Sequence, residues 1–217
     1  MALFDDAFWA ESGRHKGALS LFAKRLFDFL VSLIAIILLS PVLLIVALVV
    51  KLESRGPVVF RQLRVGKYNI PFTMFKFRSM RMDAEYLKQA LMAANEMDGP
   101  VFKIREDPRL TRVGRFIRRW SLDELPQLFN ILRGDMSIVG PRPLPVVEVA
   151  DMQENQMRRH SVKPGLTCIW QISGRNEISF DEWIQLDLIY VDNQSFMLDL
   201  EIFFRTFSAV LRRKGSS

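Results

Sequence analysis

The sequence has few of the residues that build disulfides, zinc sites or nucleotide-binding glycine loops. Cys168 is the one cysteine in 217 residues, which excludes an intramolecular disulfide. The two histidines, His15 and His160, form no cluster with cysteine in the sequence, which argues against a zinc site. Neither a P-loop nor a Rossmann glycine fingerprint is present. The sequence therefore disfavours a disulfide scaffold, a zinc protein and both common types of nucleotide-binding enzyme.

Positive charge is in excess. The formal net charge is +6, so the expected partners are anions: nucleic acid, anionic membrane lipid or phosphorylated small molecules. The aromatic residues cluster with apolar segments and do not interleave with the arginines, which argues against nucleic acid. Anionic lipid and phosphorylated small molecules remain.

Residues 29–50 form a run of 22 residues without a charge, and Ser40-Pro41 interrupts it near the middle. Roughly 20 apolar residues suffice to cross a bilayer, but a proline removes a backbone donor and disfavours a straight helix. Lys24 and Arg25 precede the run and Lys51 follows it, and such cations mark the cytoplasmic side of a membrane segment. A hairpin that enters and leaves on one side satisfies both flanks, and a single kinked span is the alternative.

The remaining pattern predicts a mostly helical α+β fold. Residues 1–20 form an N-terminal arm and residues 21–52 the membrane element. Two apolar runs, 58–60 and 72–77, flank the turn residues 66–69 and predict a small β-hairpin. Residues 109–119 place an arginine at every third position, from Arg109 to Arg118, opposite apolar residues. This segment and residues 197–213 are predicted to be amphipathic helices at a membrane interface.

The densest chemical signal is the segment RRWSLDELPQLFN, residues 118–130. Ser121 and Glu124 have the spacing of a helix capping box, which puts Asp123 and Glu124 in a first helical turn, where backbone donors stabilise anions. Arg118 lies just upstream and could hold a phosphate beside an ionised Asp123, an arrangement suited to nucleophilic attack on phosphorus. The alternative is that Asp123 itself caps the helix.

Two further segments carry cations in defined positions. Pro141 and Pro143 flank Arg142 and restrict its backbone, so that its guanidinium would lose little entropy on binding a phosphate or carboxylate. Lys76 and Arg78 occupy alternate positions of a predicted strand and are expected on one face. A structural loop and a pair of surface charges are the alternative interpretations.

Together these residues resemble the bacterial sugar transferase family, the monotopic phosphoglycosyl transferases. The resemblance rests on KRLFDF, the central Ser-Pro, KFRSM, SLDELPQLFN, RGDMSIVGPRP, KPGLT and SGRN, all in the order that the family has. It implies a monotopic protein of the bacterial inner membrane, in which Ser40 and Pro41 bend a re-entrant helix. Residues 53–217 would then form a catalytic domain with its active site on the cytoplasmic face.

The resemblance also implies a reaction. A sugar-1-phosphate would pass from a UDP-sugar to undecaprenyl (polyprenol) phosphate through a covalent intermediate on Asp123, releasing UMP. Glu124 would be the second catalytic residue, and Asp123 would also bind Mg²⁺, the expected cofactor. The residues expected to bind phosphate or nucleotide are Lys76, Arg78, Arg118, Pro141, Arg142, Pro143 and Arg175.

Expected partners are thus the UDP-sugar, undecaprenyl phosphate and membrane lipid, with no nucleic acid. The apolar faces also leave room for a homodimer. The alternative is a non-catalytic membrane-anchored module that binds anionic lipid or nucleic acid.

Overall fold

The structure is a computed structural model that describes residues 17–104, 106–150, 152–173 and 178–211. The protein is mostly helical and carries two small sheets. The elements are α1 (Ala18–Glu53), β1 (Val59–Val65), β2 (Pro71–Phe77), α2 (Ala84–Ala90), α3 (Arg112–Arg119), α4 (Gln127–Arg133), β3 (Ser137–Val139), α5 (Val146–Val149), β4 (Gly165–Thr167), α6 (Ile169–Ser173), α7 (Phe180–Asn193) and α8 (Phe196–Leu211).

Helix α1 is long and apolar enough to cross a membrane, and only 11% of its most apolar window is buried against the rest of the protein. It continues through Pro41, which cannot donate a backbone hydrogen bond to the carbonyl of Ile37. The Ser40 hydroxyl donates to that carbonyl instead, at 2.8 Å. The predicted break is therefore the loss of one backbone hydrogen bond within a continuous helix, and the re-entrant path stays a prediction.

Both ends of α1 contact the same globular body. Near the N-terminal end, the Lys24 ammonium donates to the Asp199 carboxylate at 2.7 Å, and both groups are buried. Near the C-terminal end, Val50 packs against Phe77 of β2 and Ile117 of α3. Because one contact lies just before the apolar run and the other at its last residue, they tie its two ends to one body.

The predicted β-hairpin is confirmed. β1 and β2 pair antiparallel, from Val59 opposite Phe77 to Val65 opposite Pro71. The turn lies where the sequence predicts it, and Tyr68 and Asn69 adopt positive φ angles of 58° and 61° there. The hairpin carries Lys76 on β2 towards the middle of the protein.

The second sheet pairs β3 and β4 in parallel and brings two glycines into close contact. A Cβ on Gly165 would lie 2.1 Å from the backbone nitrogen of Gly140, so a larger residue does not fit there. The main core lies between this sheet, α4, α7, α8 and the N-terminal half of α1. Its residues with the smallest exposed fractions include Ile131, Met136, Leu198 and Ile202.

The predicted helix over residues 109–119 begins later than expected. Its cap is Thr111, whose hydroxyl accepts from the Gly114 amide at 2.9 Å, and α3 starts at Arg112. Arg109 precedes the helix and is buried in an ion pair with Asp107, with 2.6 Å between Nη2 and Oδ2. Arg109 therefore does not lie on the predicted helical face, because it pairs with the buried Asp107 carboxylate before the helix begins. Helix α8 begins at Phe196, and the end of the last predicted amphipathic segment lies outside the described residues.

Candidate active site

Asp123 and Glu124 lie in a single 3₁₀ turn, Leu122–Glu124, between α3 and α4. Ser121 precedes this turn with φ 56° and ψ 20°, a left-handed conformation that costs a non-glycine residue roughly 1–2 kcal/mol. The Ser121 side chain makes no capping hydrogen bond, and α4 starts only after Pro126. The predicted capping box is therefore wrong, and Asp123 is not a helix N-cap, because Ser121 turns the chain and Pro126 sets the start of the helix.

The Glu124 carboxylate is held by two cations. Lys76 Nζ donates to Oε1 at 2.8 Å. The Arg142 guanidinium binds both carboxylate oxygens, with a short contact from Nη2 to Oε1 and 3.4 Å between Nη1 and Oε2. Burial alone would raise the pKa of Glu124, but Arg142 and Lys76 more than offset it and hold that pKa well below its usual range. Glu124 therefore stays ionised and fixes the two cations beside Asp123.

Asp123 differs from its neighbour. It is 5% exposed, and its carboxylate accepts no hydrogen bond from any described residue. Burial raises the pKa of Asp123, with the charge on Glu124 adding to this effect and Lys76, Arg118 and Arg142 opposing it. The Asp123 oxygens are thus available to a ligand, in a site whose surrounding charge is positive.

A cavity of about 300 Å³ opens onto this pair. Lys76, Arg118 and Arg142, three of the residues expected to bind phosphate, line it together with Arg64. Nothing in the segment around Arg64 marked that residue as functional. Burial, followed by repulsion from Arg142, lowers the pKa of Arg64 to about 10, which leaves it cationic at neutral pH. The cavity is therefore a cationic enclosure suited to a diphosphate.

Residues Pro141, Arg142 and Pro143 are fixed through all three of their carbonyl groups. The Gly165 amide donates to the Pro141 carbonyl at 2.9 Å. Arg159 donates to the Arg142 carbonyl at 2.7 Å, and Arg64 donates to the Pro143 carbonyl at 2.8 Å. Arg159 is itself fully buried in an ion pair with Asp187. The rigidity predicted from the two prolines thus also depends on distant donors that the sequence did not reveal.

Arg78 lies elsewhere, because β2 ends at Phe77 and the strand alternation stops there. Its guanidinium donates to three carbonyls at the C-terminal end of α1: Val50 at 3.2 Å, Ser54 at 2.8 Å and Arg55 at 2.7 Å. Arg78 is 6% exposed and does not line the cavity of Asp123. It anchors the end of α1. Arg175, the remaining predicted ligand, lies outside the described residues.

The far wall of the cavity is aromatic and was not predicted. Trp170 and Trp183 are in tilted contact, with 4.7 Å between ring centroids and 45° between ring planes, and Phe102 and Gln171 also line the cavity. The Trp170 indole nitrogen is buried and has no hydrogen-bond partner among the described residues. The signal was the short aromatic and amide stretch Trp170-Gln171, which has no catalytic signature by itself. A planar ring could stack on this wall.

The side chains of the cavity fit Mg²⁺ if water and substrate phosphates supply most of its ligands. The described residues hold no group of three or more His, Cys, Asp or Glu side chains that could bind a metal alone. Asp123, however, offers a free carboxylate, and Mg²⁺ commonly takes one or two carboxylates with the rest of its ligands from water and substrate phosphates. The residues therefore fit a metal that arrives with, or is completed by, a phosphorylated substrate.

Comparison with known proteins gives one family. The family model described as bacterial sugar transferase matches residues 19–213. The galactosyl transferase CpsE of Streptococcus agalactiae serotype III (strain NEM316) is 44% identical over 197 residues, which cover 90% of this chain and 44% of that protein. The undecaprenyl-phosphate galactose phosphotransferase of Salmonella typhimurium (strain LT2) is 41% identical over 204 residues, which cover 91% of this chain and 42% of that protein.

A relative of similar size is the exopolysaccharide production protein ExoY of Sinorhizobium fredii (strain NBRC 101917 / NGR234). It is 41% identical over 199 residues, which cover 89% of this chain and 88% of that protein. The chain thus spans less than half of the first two relatives and most of the third.

Proposed function

Because this chain belongs to the bacterial sugar transferase family, we propose that it transfers a sugar-1-phosphate from a UDP-sugar to undecaprenyl phosphate. The observation that carries the proposal is the Asp123 carboxylate, buried, free of hydrogen bonds from the described residues and surrounded by the cations of its cavity. The names of two relatives add support, since one is a galactosyl transferase and another an undecaprenyl-phosphate galactose phosphotransferase.

In the first half-reaction, an Asp123 oxygen attacks the β-phosphorus of the UDP-sugar. An oxygen–phosphorus bond forms to Asp123, and the bond from the β-phosphorus to the bridging oxygen breaks. UMP leaves with that oxygen and the electron pair of the broken bond. The sugar phosphate then stays on Asp123 as an acyl phosphate. In the second half-reaction, a phosphate oxygen of undecaprenyl phosphate attacks the same phosphorus, which releases Asp123 and yields the polyprenyl diphosphate sugar.

The surrounding cations stabilise the charge that develops on the phosphate oxygens. Arg118 and Arg142 reduce the repulsion between the diphosphate and the Asp123 carboxylate, and Glu124 keeps Lys76 and Arg142 in place. Mg²⁺, when bound, would add further positive charge at the phosphate oxygens, with Asp123 as its protein ligand. The rings of Trp170 and Trp183, tilted at 45° to each other, offer an aromatic face for the nucleobase.

The two substrates differ in solubility, and helix α1 would hold the site at the membrane surface, where both can reach it. A UDP-sugar comes from water, whereas undecaprenyl phosphate comes from the bilayer, so Asp123 must lie at the membrane surface. The contacts of Lys24 and Val50 tie both ends of the apolar run to one body. These contacts, and cations on both flanks, support a re-entrant α1 that bends at Ser40–Pro41, with the site on the cytoplasmic face of the inner membrane.

The test is UMP release from a UDP-sugar panel with undecaprenyl phosphate in detergent. Asp123→Asn keeps the size of the side chain but removes its nucleophilic charge, and we expect no UMP above background. The matched control is Asp192→Asn, because Asp192 is half exposed and pairs with Arg158 at the surface. We expect this control to stay within twofold of wild type. UMP release by Asp123→Asn at the wild-type rate would refute the proposal.

A further inference from the structure

A second cleft lies along the N-terminal half of α1. Its volume is about 400 Å³, and it shares no lining residue with the cavity of Asp123. We call it the basic cleft; the lining residues that matter here are Leu21, Lys24, Arg25, Asp28, Lys67 and Lys163. Four of these six residues carry a positive charge and one carries a negative charge, so together they have a net positive charge.

Two of the charged residues, Lys24 and Asp28, have hydrogen-bond partners within the protein. Lys24 donates to Asp199 at 2.7 Å, which neutralises it. The Asp28 carboxylate accepts from the Ser137 hydroxyl at 3.0 Å and from the Ile138 amide at 2.9 Å. Asp28 is 2% exposed, so these donors satisfy it within the protein. The Asp28 donors are neutral, so its negative charge remains and offsets part of the positive charge in the cleft, where the cations still outnumber it.

Three cations are left. Arg25 donates to the carbonyls of Ile131 and Leu132, which are neutral and leave its charge uncompensated. The ammonium groups of Lys67 and Lys163 form no salt bridge or hydrogen bond with any described residue, and that of Lys67 lies 4.5 Å from the centroid of the Tyr68 ring. Burial, followed by repulsion from Arg25, lowers the pKa of Lys163, as expected for a cation crowded by like charge.

Two of these cations, Arg25 and Lys163, lie close together beside the backbone of Gly134. Arg25 Nη2 and Lys163 Nζ lie 3.4 and 3.5 Å from the point that a Cβ on Gly134 would occupy. Asp135 follows Gly134, but its carboxylate pairs with Arg133 at 3.4 Å. Two like charges this close to each other favour an anion within reach of both.

The apolar surroundings of the cleft indicate which anion. Leu21 lines the cleft and is 54% exposed, and its neighbours Leu19 and Phe22 on α1 are 81% and 65% exposed. A soluble phosphate would leave this surface uncovered, whereas the acyl chains of a lipid would cover it. The cations and the apolar surface are adjacent, as are the headgroup and acyl chains of a phospholipid.

We propose that the basic cleft binds the phosphate headgroup of an anionic membrane phospholipid, held by Arg25, Lys67 and Lys163, with its acyl chains along the start of α1. This site would fix the depth and orientation of the N-terminal half of α1 in the bilayer. It rests on the proposed membrane association of α1, and it requires nothing of the chemistry at Asp123.

The test titrates the full chain in detergent with dioctanoyl phosphatidylglycerol and follows binding by native mass spectrometry. Dioctanoyl phosphatidylcholine, which has no net charge, is the lipid control, and inorganic phosphate is added as a competitor. The double variant Lys67→Gln/Lys163→Gln should bind phosphatidylglycerol about tenfold more weakly or worse, since each lysine near an anionic headgroup contributes roughly fivefold. Lys67→Arg/Lys163→Arg keeps the charges and should bind within threefold of wild type.

The matched control is Lys51→Gln/Arg55→Gln, which removes the same charge from the exposed opposite flank of α1. It should leave phosphatidylglycerol binding within twofold of wild type. An equal loss in this control would show general surface attraction and overturn the proposal. Equal binding of both lipids, or full displacement by millimolar phosphate, would overturn it too. Flotation of each variant with liposomes reports membrane association separately, so failure of this site is distinguishable from failure of the membrane path.

Discussion

Replacing Arg142 with lysine tests whether the geometry at Glu124, and not its charge alone, supports the reaction. The guanidinium contacts both Glu124 oxygens, while Lys76 already occupies Oε1. A lysine at position 142 keeps the positive charge but cannot make two parallel hydrogen bonds. We therefore expect Arg142→Lys to retain the fold and to lose transition-state stabilisation.

The size of the loss follows from these contacts. A hydrogen bond to a charged group contributes about 1.5–3 kcal/mol net. The Arg142 side chain is 24% exposed and one of its two contacts is as long as 3.4 Å, so the lower end of that range applies. About 1.5 kcal/mol of lost transition-state stabilisation corresponds to roughly a tenfold lower kcat/KM.

The assay is the initial rate of UMP release against UDP-sugar concentration, with thermal unfolding measured in parallel. Arg133→Lys is the control, because Arg133 is 58% exposed and pairs with Asp135 away from the cavity. The control should change kcat/KM less than twofold. If Arg142→Lys also stayed within twofold, the bidentate contact would have no role in the reaction.

Three further predictions follow from the same contacts. Asp28→Ala should lower the free energy of unfolding by about 1–3 kcal/mol in denaturant titrations, because it leaves the buried Ile138 amide without an acceptor; an unchanged value would contradict this. Because burial raises the pKa of Asp123 and the protonated acid is not a nucleophile, kcat/KM should fall as the pH falls through that pKa, and a flat profile would contradict the assignment. EDTA should abolish UMP release and added Mg²⁺ restore it, whereas full activity in EDTA would rule out the metal.

Much of the fold was predictable because local signals agreed with the tertiary structure. The hairpin of β1 and β2 follows from apolar strands around a turn whose residues tolerate positive φ. Arg109 was wrongly placed on the helix because it pairs with Asp107, which lies before the helix. Helical periodicity in the sequence does not reveal such a pair. The start of α4 was misplaced because Ser121 adopts a left-handed conformation, which a serine does not signal.

The site was predictable only in part. Lys76, Arg118 and Arg142 do line one cavity with Asp123 and Glu124. The contributions of Arg64 and Arg159 depend on contacts with residues far away in the chain, such as the Pro143 carbonyl for Arg64. Such long-range contacts leave no pattern in a single sequence, because nothing there distinguishes Arg64 or Arg159 from the other arginines. The aromatic wall was unpredictable for the same reason, because Trp170 of α6 and Trp183 of α7 come together only when these two helices pack.

The central claim is that Asp123 carries the sugar phosphate covalently. The direct measurement is mass spectrometry of the intact protein after rapid mixing with a UDP-sugar in the absence of undecaprenyl phosphate, followed by peptide mapping. We expect a mass increase equal to one sugar phosphate, located on the peptide with Asp123, absent from Asp123→Asn and lost when undecaprenyl phosphate is added. Turnover without any such adduct, or an adduct on another residue, would contradict the mechanism.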